Sequence, residues 1–222
     1  MPRLQVALDL LNLDKAIQVA SMVASVCDHK RLLFEAGTPL IKKFGMRAVK
    51  ELSPLFPDIP IVADMKTADV GALEAELAVT SGATYVTVLA QASDETIRSA
   101  VEAAHRLGGK VMVDLMSSVG DPILQGERLR KLSADAVCYH VPIDVQKLKT
   151  VSWGTVMAIL KLMKIIGVGE VAVAGGIGPE VSRKLVEGGA DILVVGRYIH
   201  SASDPAQAAQ SILRELDSPN AI

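Results

Sequence analysis

Eight short apolar runs, each bounded by turn-forming residues, punctuate the chain. They are LQVAL from position 4, RLLFEAG from 31, IPIVADMK from 59, TYVTVLA from 84, KVMVDLM from 110, DAVCYHV from 135, EVAVAGG from 170 and DILVVG from 191. A run that is apolar throughout, rather than at alternate positions, marks a strand covered on both faces, as in a parallel sheet. Between the runs lie stretches of 3.6-residue periodicity, such as DETIRSAVEAAHRLGG from 94 and PEVSRKLVEGG from 179, each with an apolar stripe, a charged outer face and a closing glycine. Most strand starts fall roughly 25 to 28 residues apart, the length of one strand–helix unit. Eight such units close a (β/α)8 barrel, so the expected fold class is α/β, a TIM barrel. The competing arrangement, an open doubly wound sheet, commonly carries a glycine-rich loop after its first strand, and ALDLLNLDKA has none. With no linker or low-complexity stretch inside the chain, residues 1–215 read as a single barrel and 216–222 as a short polar C-terminal tail.

Half of the residues are apolar but only 3% are aromatic, so the core must be aliphatic. The formal net charge is -2, from 23 basic and 25 acidic residues without long blocks, which gives no footprint for nucleic acid or for an anionic membrane surface. Cys27 and Cys138 are too few for a disulfide framework or a thiolate metal centre. No signal-peptide order is visible at the start, and the apolar runs break well short of the ~20 residues of a membrane span. The expected setting is the reducing cytoplasm.

Catalytic groups of such barrels project from the carboxyl ends of the strands. The residues there are Asp9, Glu35, Asp64 with Lys66, Asp114, His140 and Arg197. Taken singly, an Asp at such a position is more often a helix cap or a surface ion pair. As a ring they argue for function, because a charge buried without a partner costs several kcal/mol. Glu35 and Asp64 are oxygen donors from neighbouring strands that suit one hard cation such as Mg²⁺, although Glu35 could equally pair with Lys66. Strand alternation should point Asp64 and Lys66 to the same side and Met65 outward. An ammonium beside carboxylates keeps its proton and can stabilise an oxyanion. His140 could serve as acid or base, whereas His29, His105 and His200 read as surface residues. AGGIGPE at 174–180 and VGRYIH at 195–200 carry a phosphate signal: Gly175, Gly176 and Gly196 allow close backbone approach and Arg197 adds a charged fork. A phosphorylated small molecule is the expected substrate.

With D-x-K-x-x-D on the third strand, FEAGTP on the second and ALDL on the first, the chain resembles the orotidine 5'-phosphate decarboxylase suprafamily over nearly its whole length. Glu35, where the orotidylate decarboxylases carry a lysine, makes it similar to the metal-dependent branch of 3-hexulose-6-phosphate synthase and 3-keto-L-gulonate-6-phosphate decarboxylase. The resemblance implies Mg²⁺ on Glu35 and Asp64, an enediolate stabilised by the cation and Lys66, proton movement by His140, and substrate hydroxyls on Asp9. It implies phosphate held by the strand-seven glycines and Arg197. It also implies a homodimer with shared active sites, in which Asp69 reaches the neighbouring subunit's site. Ile143 stands where the decarboxylases carry an arginine after the histidine, and VDLM with Asp114 looks like the synthase. The resemblance therefore implies an aldolase joining formaldehyde and D-ribulose 5-phosphate, with decarboxylation of a phosphosugar acid as the in-class alternative and a non-catalytic phosphosugar-binding barrel as the alternative of another class.

Overall fold

The computed structural model describes residues 1–116, 121–148 and 151–217. Each expected apolar run forms a strand: β1 Arg3–Leu8, β2 Leu32–Ala36, β3 Ile61–Thr67, β4 Tyr85–Leu89, β5 Lys110–Asp114, β6 Ala136–His140, β7 Glu170–Ala174 and β8 Ile192–Val195. All pair in parallel with their sequence neighbours, and β1 also pairs with β8, so the sheet closes into a barrel. The outer helices are α1 Leu13–Ala24, α3 Arg47–Leu55, α4 Gly71–Thr80, α5 Asp94–Arg106, α6 Pro122–Lys131, α8 Trp153–Ile166, α9 Pro179–Glu187 and α11 Pro205–Asp217. Three short helices, α2 Thr38–Phe44, α7 Ile143–Leu148 and α10 Arg197–His200, sit in the loops that follow β2, β6 and β8. The architecture is the (β/α)8 barrel read from strand count and spacing.

Local chemistry starts the helices where the periodicity does. Asn12 accepts from Lys15 N at 2.9 Å to cap α1, and Ser93 accepts from Thr96 N at 3.1 Å to cap α5, each satisfying an amide that has no intrahelical partner. α11 runs on through Asp217, whose carboxylate takes Arg31 at 2.6 Å, so the first two residues of the expected tail belong to a helix. Residues 218–222 lie outside the described residues. No helix among the described residues is long and apolar enough to cross a membrane.

Two apolar layers result. One fills the space between sheet and helices, with Val6, Phe34, Val86, Val113 and Val173 pointing outward from the strands. The other fills the barrel, where Leu33, Val62, Tyr85, Met112, Ala136, Cys138, Ala172 and Ile192 close it below the rim. This plug leaves the carboxyl rim as the open end.

Candidate active site

The end of β3 departs from a regular strand. Its pairing with β4 runs Ala63 to Val86 and then Thr67 to Val88, so four steps on β3 face two on β4. Lys66 absorbs the excess with φ +49°, a left-handed conformation that a lysine adopts only where its surroundings hold it, and its N–H donates to Thr87 Oγ1 at 2.9 Å. Simple alternation does not run through this segment. The bulge still delivers Lys66 to the cavity, with Nζ 3.0 Å from Asp64 Oδ1 and 2.9 Å from Asp114 Oδ2, while Met65 packs against the helix layer.

Asp64 is buried and fully engaged. Oδ1 accepts from Lys66 Nζ and from Thr87 Oγ1 at 2.8 Å; Oδ2 accepts from the backbone and hydroxyl of Thr38 at the start of α2. Asp114 Oδ2 accepts from both Lys66 and His140, whose Nδ1 lies 2.9 Å away, and Oδ1 accepts from Met116 N at 2.8 Å. Burial alone would raise the Asp114 carboxyl, but the hydrogen bond and charge of His140, joined by those of Lys66, outweigh it and hold the group at about 2. An acid ionised at neutral pH can only accept. The proton therefore sits on His140 Nδ1, and in the neutral ring Nε2 carries a free lone pair on the cavity side of a fixed imidazole. Lys66 loses some hold on its proton through burial and regains more from Asp64 and Asp114, so its proton is held more tightly than usual.

Beyond that triad the rim is over-acidic. Glu35 is buried, and both burial and the nearby charges of Asp64 and Asp9 push its carboxyl well above the ordinary range. Its one hydrogen bond among the described residues comes from Gln5 Nε2 to Oε2, at 2.6 Å. Asp9 opens to solvent at the mouth yet is lodged among protein atoms; desolvation and then Asp64 raise it too. Gly37 makes room for Asp9, because a Cβ there would lie 2.1 Å from its Oδ1. Asp9, Glu35, Asp64 and Asp114 thus share Lys66 and His140 on one side of a cavity of about 750 Å³, whose lining elsewhere includes Asp144, Glu180, Arg197 and His200. All-oxygen donors with surplus negative charge suit a hard divalent cation, and Glu35 and Asp64 lie on the same rim of adjacent strands. Among the described residues, no three His, Cys, Asp or Glu side chains are already arranged around one point. Both oxygens of Asp64 are already taken by protein donors, those of Thr38, Lys66 and Thr87.

The other side of the cavity is lined by Gly175, Gly176, Gly196 and Arg197. Gly175 has a packing reason of its own, since at φ +105° a Cβ would meet Val141 O at 2.2 Å. Gln146 of α7, whose Nε2 donates to Val141 O at 2.7 Å, lies over Gly176. Arg197 is exposed at the mouth. His29 and His105 are exposed, as expected, but His200 is not. It is 8% exposed, lines the cavity, and its Nε2 has no partner among the described residues; burial pushes the ring toward its neutral form. The surface expectation failed because α10 turns its last residue into the cavity rather than outward. Asp69 does not line its own chain's cavity; it is exposed in the loop before α4, where Oδ1 accepts from Val70 N.

Gln5, Thr38 and Thr87 also touch the charged groups and escaped sequence reasoning. Thr38 and Thr87 are of types common at any strand or helix end. Gln5 did leave a signal, as the single polar residue in LQVAL.

The chain is 39% identical over 218 residues to the bifunctional enzyme Fae/Hps of Methanospirillum hungatei, covering 97% of this chain and 53% of that protein. It therefore spans about half the length of the first curated relatives it matches. It is 35% identical over 210 residues to the 3-hexulose-6-phosphate synthase of Mycobacterium gastri, covering 95% of this chain and 97% of that one. Among solved structures, KGPDC from Streptococcus mutans superimposes with a TM-score of 0.89 at 29% identity, over 97% of each chain. The family model for orotidine 5'-phosphate decarboxylase / HUMPS matches residues 2–212. With the match running from β1 into α11, this chain belongs to the orotidine 5'-phosphate decarboxylase / HUMPS family.

Proposed function

We propose that the chain is an aldolase of the 3-hexulose-6-phosphate synthase type, joining formaldehyde to D-ribulose 5-phosphate. The observation that carries this reading is the Lys66–Asp114–His140 chain of hydrogen bonds, which fixes a basic nitrogen and an ammonium on one cavity wall. Similarity to the synthase of Mycobacterium gastri supports the choice of reaction. His140 Nε2 takes the C1 proton of the ketose phosphate, and Asp114 stabilises the imidazolium that forms. Lys66 faces the oxygen on which the enediolate charge grows. The enediolate carbon then attacks formaldehyde, and a proton returns to the new alkoxide. Arg197 and the backbone around Gly175, Gly176 and Gly196 hold the phosphate, and Asp9 receives substrate hydroxyls. Mg²⁺, held by Glu35 and Asp64, would supply Lewis-acid polarisation of the substrate oxygens.

The same reading has the barrel acting in the cytoplasm as a homodimer, with Asp69 of each chain completing the site of the other. Val70, just before α4, and Leu73 and Leu77 on it are exposed close after Asp69, and the helix is apolar on its outer as well as its inner face, which supports an interface there.

The test is joint consumption of formaldehyde and ribulose 5-phosphate by the purified protein with Mg²⁺, stopped by a chelator. No turnover in excess Mg²⁺ would refute the aldolase. Likeness to KGPDC favours a second reading, decarboxylation of a 3-keto sugar acid phosphate. Ile143 opposes it by placing an apolar, half-exposed side chain at the cavity mouth. Release of CO₂ from that substrate, without formaldehyde fixation, would establish it.

A further inference from the structure

Gln5 lies inside the barrel on β1, one layer below the rim, and is 2% exposed. The side chains that fill the barrel beside and below it are apolar, among them Leu33, Val62, Met112 and Ala172. An amide there brings two donors and an acceptor into a place where an aliphatic side chain would pack without any such need. Nε2 is used, by Glu35 Oε2 at 2.6 Å. Oε1 is buried and has no partner among the described residues, which is rare for a buried acceptor and calls for an explanation. Gln5 also lines the same cavity as Glu35, Asp9 and Asp64.

The two carboxylates expected to share a cation are supported very differently. Asp64 is gripped by Thr38, Thr87 and Lys66, so its orientation is over-determined. Glu35 takes a single hydrogen bond among the described residues, from Gln5. A carboxylate that must present one oxygen to a cation needs the other one anchored, and outer partners of this kind set both ligand direction and metal affinity. Resting on the reading of Glu35 as a cation ligand, we propose that Gln5 is a positioning residue for it. The Gln5 amide pins Glu35 Oε2 so that Oε1 faces a divalent cation, and the orphaned Gln5 Oε1 accepts a hydrogen bond from a water in that cation's hydration shell. The water is thereby held by a neutral acceptor that adds no further negative charge to a crowded rim.

The experiment is direct titration of the metal-free protein with Mn²⁺, followed by electron paramagnetic resonance, and with Mg²⁺ by calorimetry. Wild type, Gln5→Met, Gln5→Asn and Glu35→Gln are compared, and each is melted in the presence of chelator. Gln5→Met keeps the side-chain length without the amide; Gln5→Asn keeps the amide but is one methylene short of Glu35. The expected result is a roughly 10- to 100-fold loss of cation affinity in both Gln5 variants, with cation-free melting that stays close to wild type. Should Gln5→Met fail to fold, Gln5→Asn carries the test by the same criterion. Wild-type affinity in a folded Gln5 variant, or a lower cation-free melting temperature with affinity intact, overturns the positioning role alone, provided Glu35→Gln has lost binding. A wild type that binds no cation, or a Glu35→Gln variant that binds as wild type does, removes the cation site itself and the role of Gln5 with it.

Discussion

The two ends of the barrel each carry a cluster of charge, and the clusters are built on opposite principles. At the amino end Arg3 pairs with Glu170, Tyr85 donates to Glu170 Oε2 at 2.6 Å, and Lys110 lies 5.3 Å over the Tyr85 ring. One carboxylate there faces one cation and a phenol, a second cation lies over the phenol's ring, and each group has found its partner. At the carboxyl end Asp9, Glu35, Asp64 and Asp114 face Lys66 and His140, Asp9 and Glu35 are raised by burial and by neighbouring carboxylates, and the Gln5 amide oxygen has no donor among the described residues. A cluster that only has to close the barrel can satisfy itself within the protein. A cluster left short of positive charge is what a ligand-taking site, rather than a structural one, would show.

That contrast breaks most sharply under substitution. Lys66→Ala and His140→Ala should each lower kcat/KM for ribulose 5-phosphate by about 10²-fold to 10⁴-fold, as expected for loss of a charge-stabilising group or a general base, and each should also lower the melting temperature, because it takes a partner from buried Asp114. Arg3→Met at the other end should leave kcat/KM within a factor of about two and reduce stability by about 1 to 2 kcal/mol, because the pair is partly exposed. Urea denaturation and initial rates on the same samples separate the two outcomes. Loss of activity in Arg3→Met at full stability would break the division.

Acid should act on the carboxyl end through Asp114. Its carboxyl is held at about 2, below its ordinary value of 3.8, so the stability it contributes is complete above that value and is lost as pH falls through 3.8 toward 2. Asp114→Asn should flatten this limb of the stability curve and also cost activity, since an amide no longer fixes the His140 tautomer. The smallest effect is expected at Glu35. Its raised pKa means that the cation-free protein loses stability as pH rises from the ordinary carboxyl range through the higher folded value. Glu35→Gln should remove that loss and melt a few degrees higher than wild type in chelator. A lower melting temperature at neutral pH would mean that Glu35 is a satisfied structural group like Glu170.

The strands were legible because each is covered on both faces and so reads as an unbroken apolar run. The rim was legible because charge follows directly where those runs stop, as at Asp64, Asp114 and His140. The bulge at Lys66 was not, since only the register against β4 reveals it. Nor was the support under the charges: Thr38 and Thr87 act through positions that the chain path alone brings next to Asp64. His200 was misplaced because a four-residue helix has too little periodicity to show which way its last side chain turns.

Above all, the unbalanced carboxyl end should withdraw a proton from a ketose phosphate before any second substrate arrives. Ribulose 5-phosphate incubated in D₂O with the protein and Mg²⁺, formaldehyde omitted, should gain deuterium at C1, and His140→Ala should abolish that gain. Protium retained at C1 with the wild-type protein, under conditions where the sugar phosphate is bound, would contradict it.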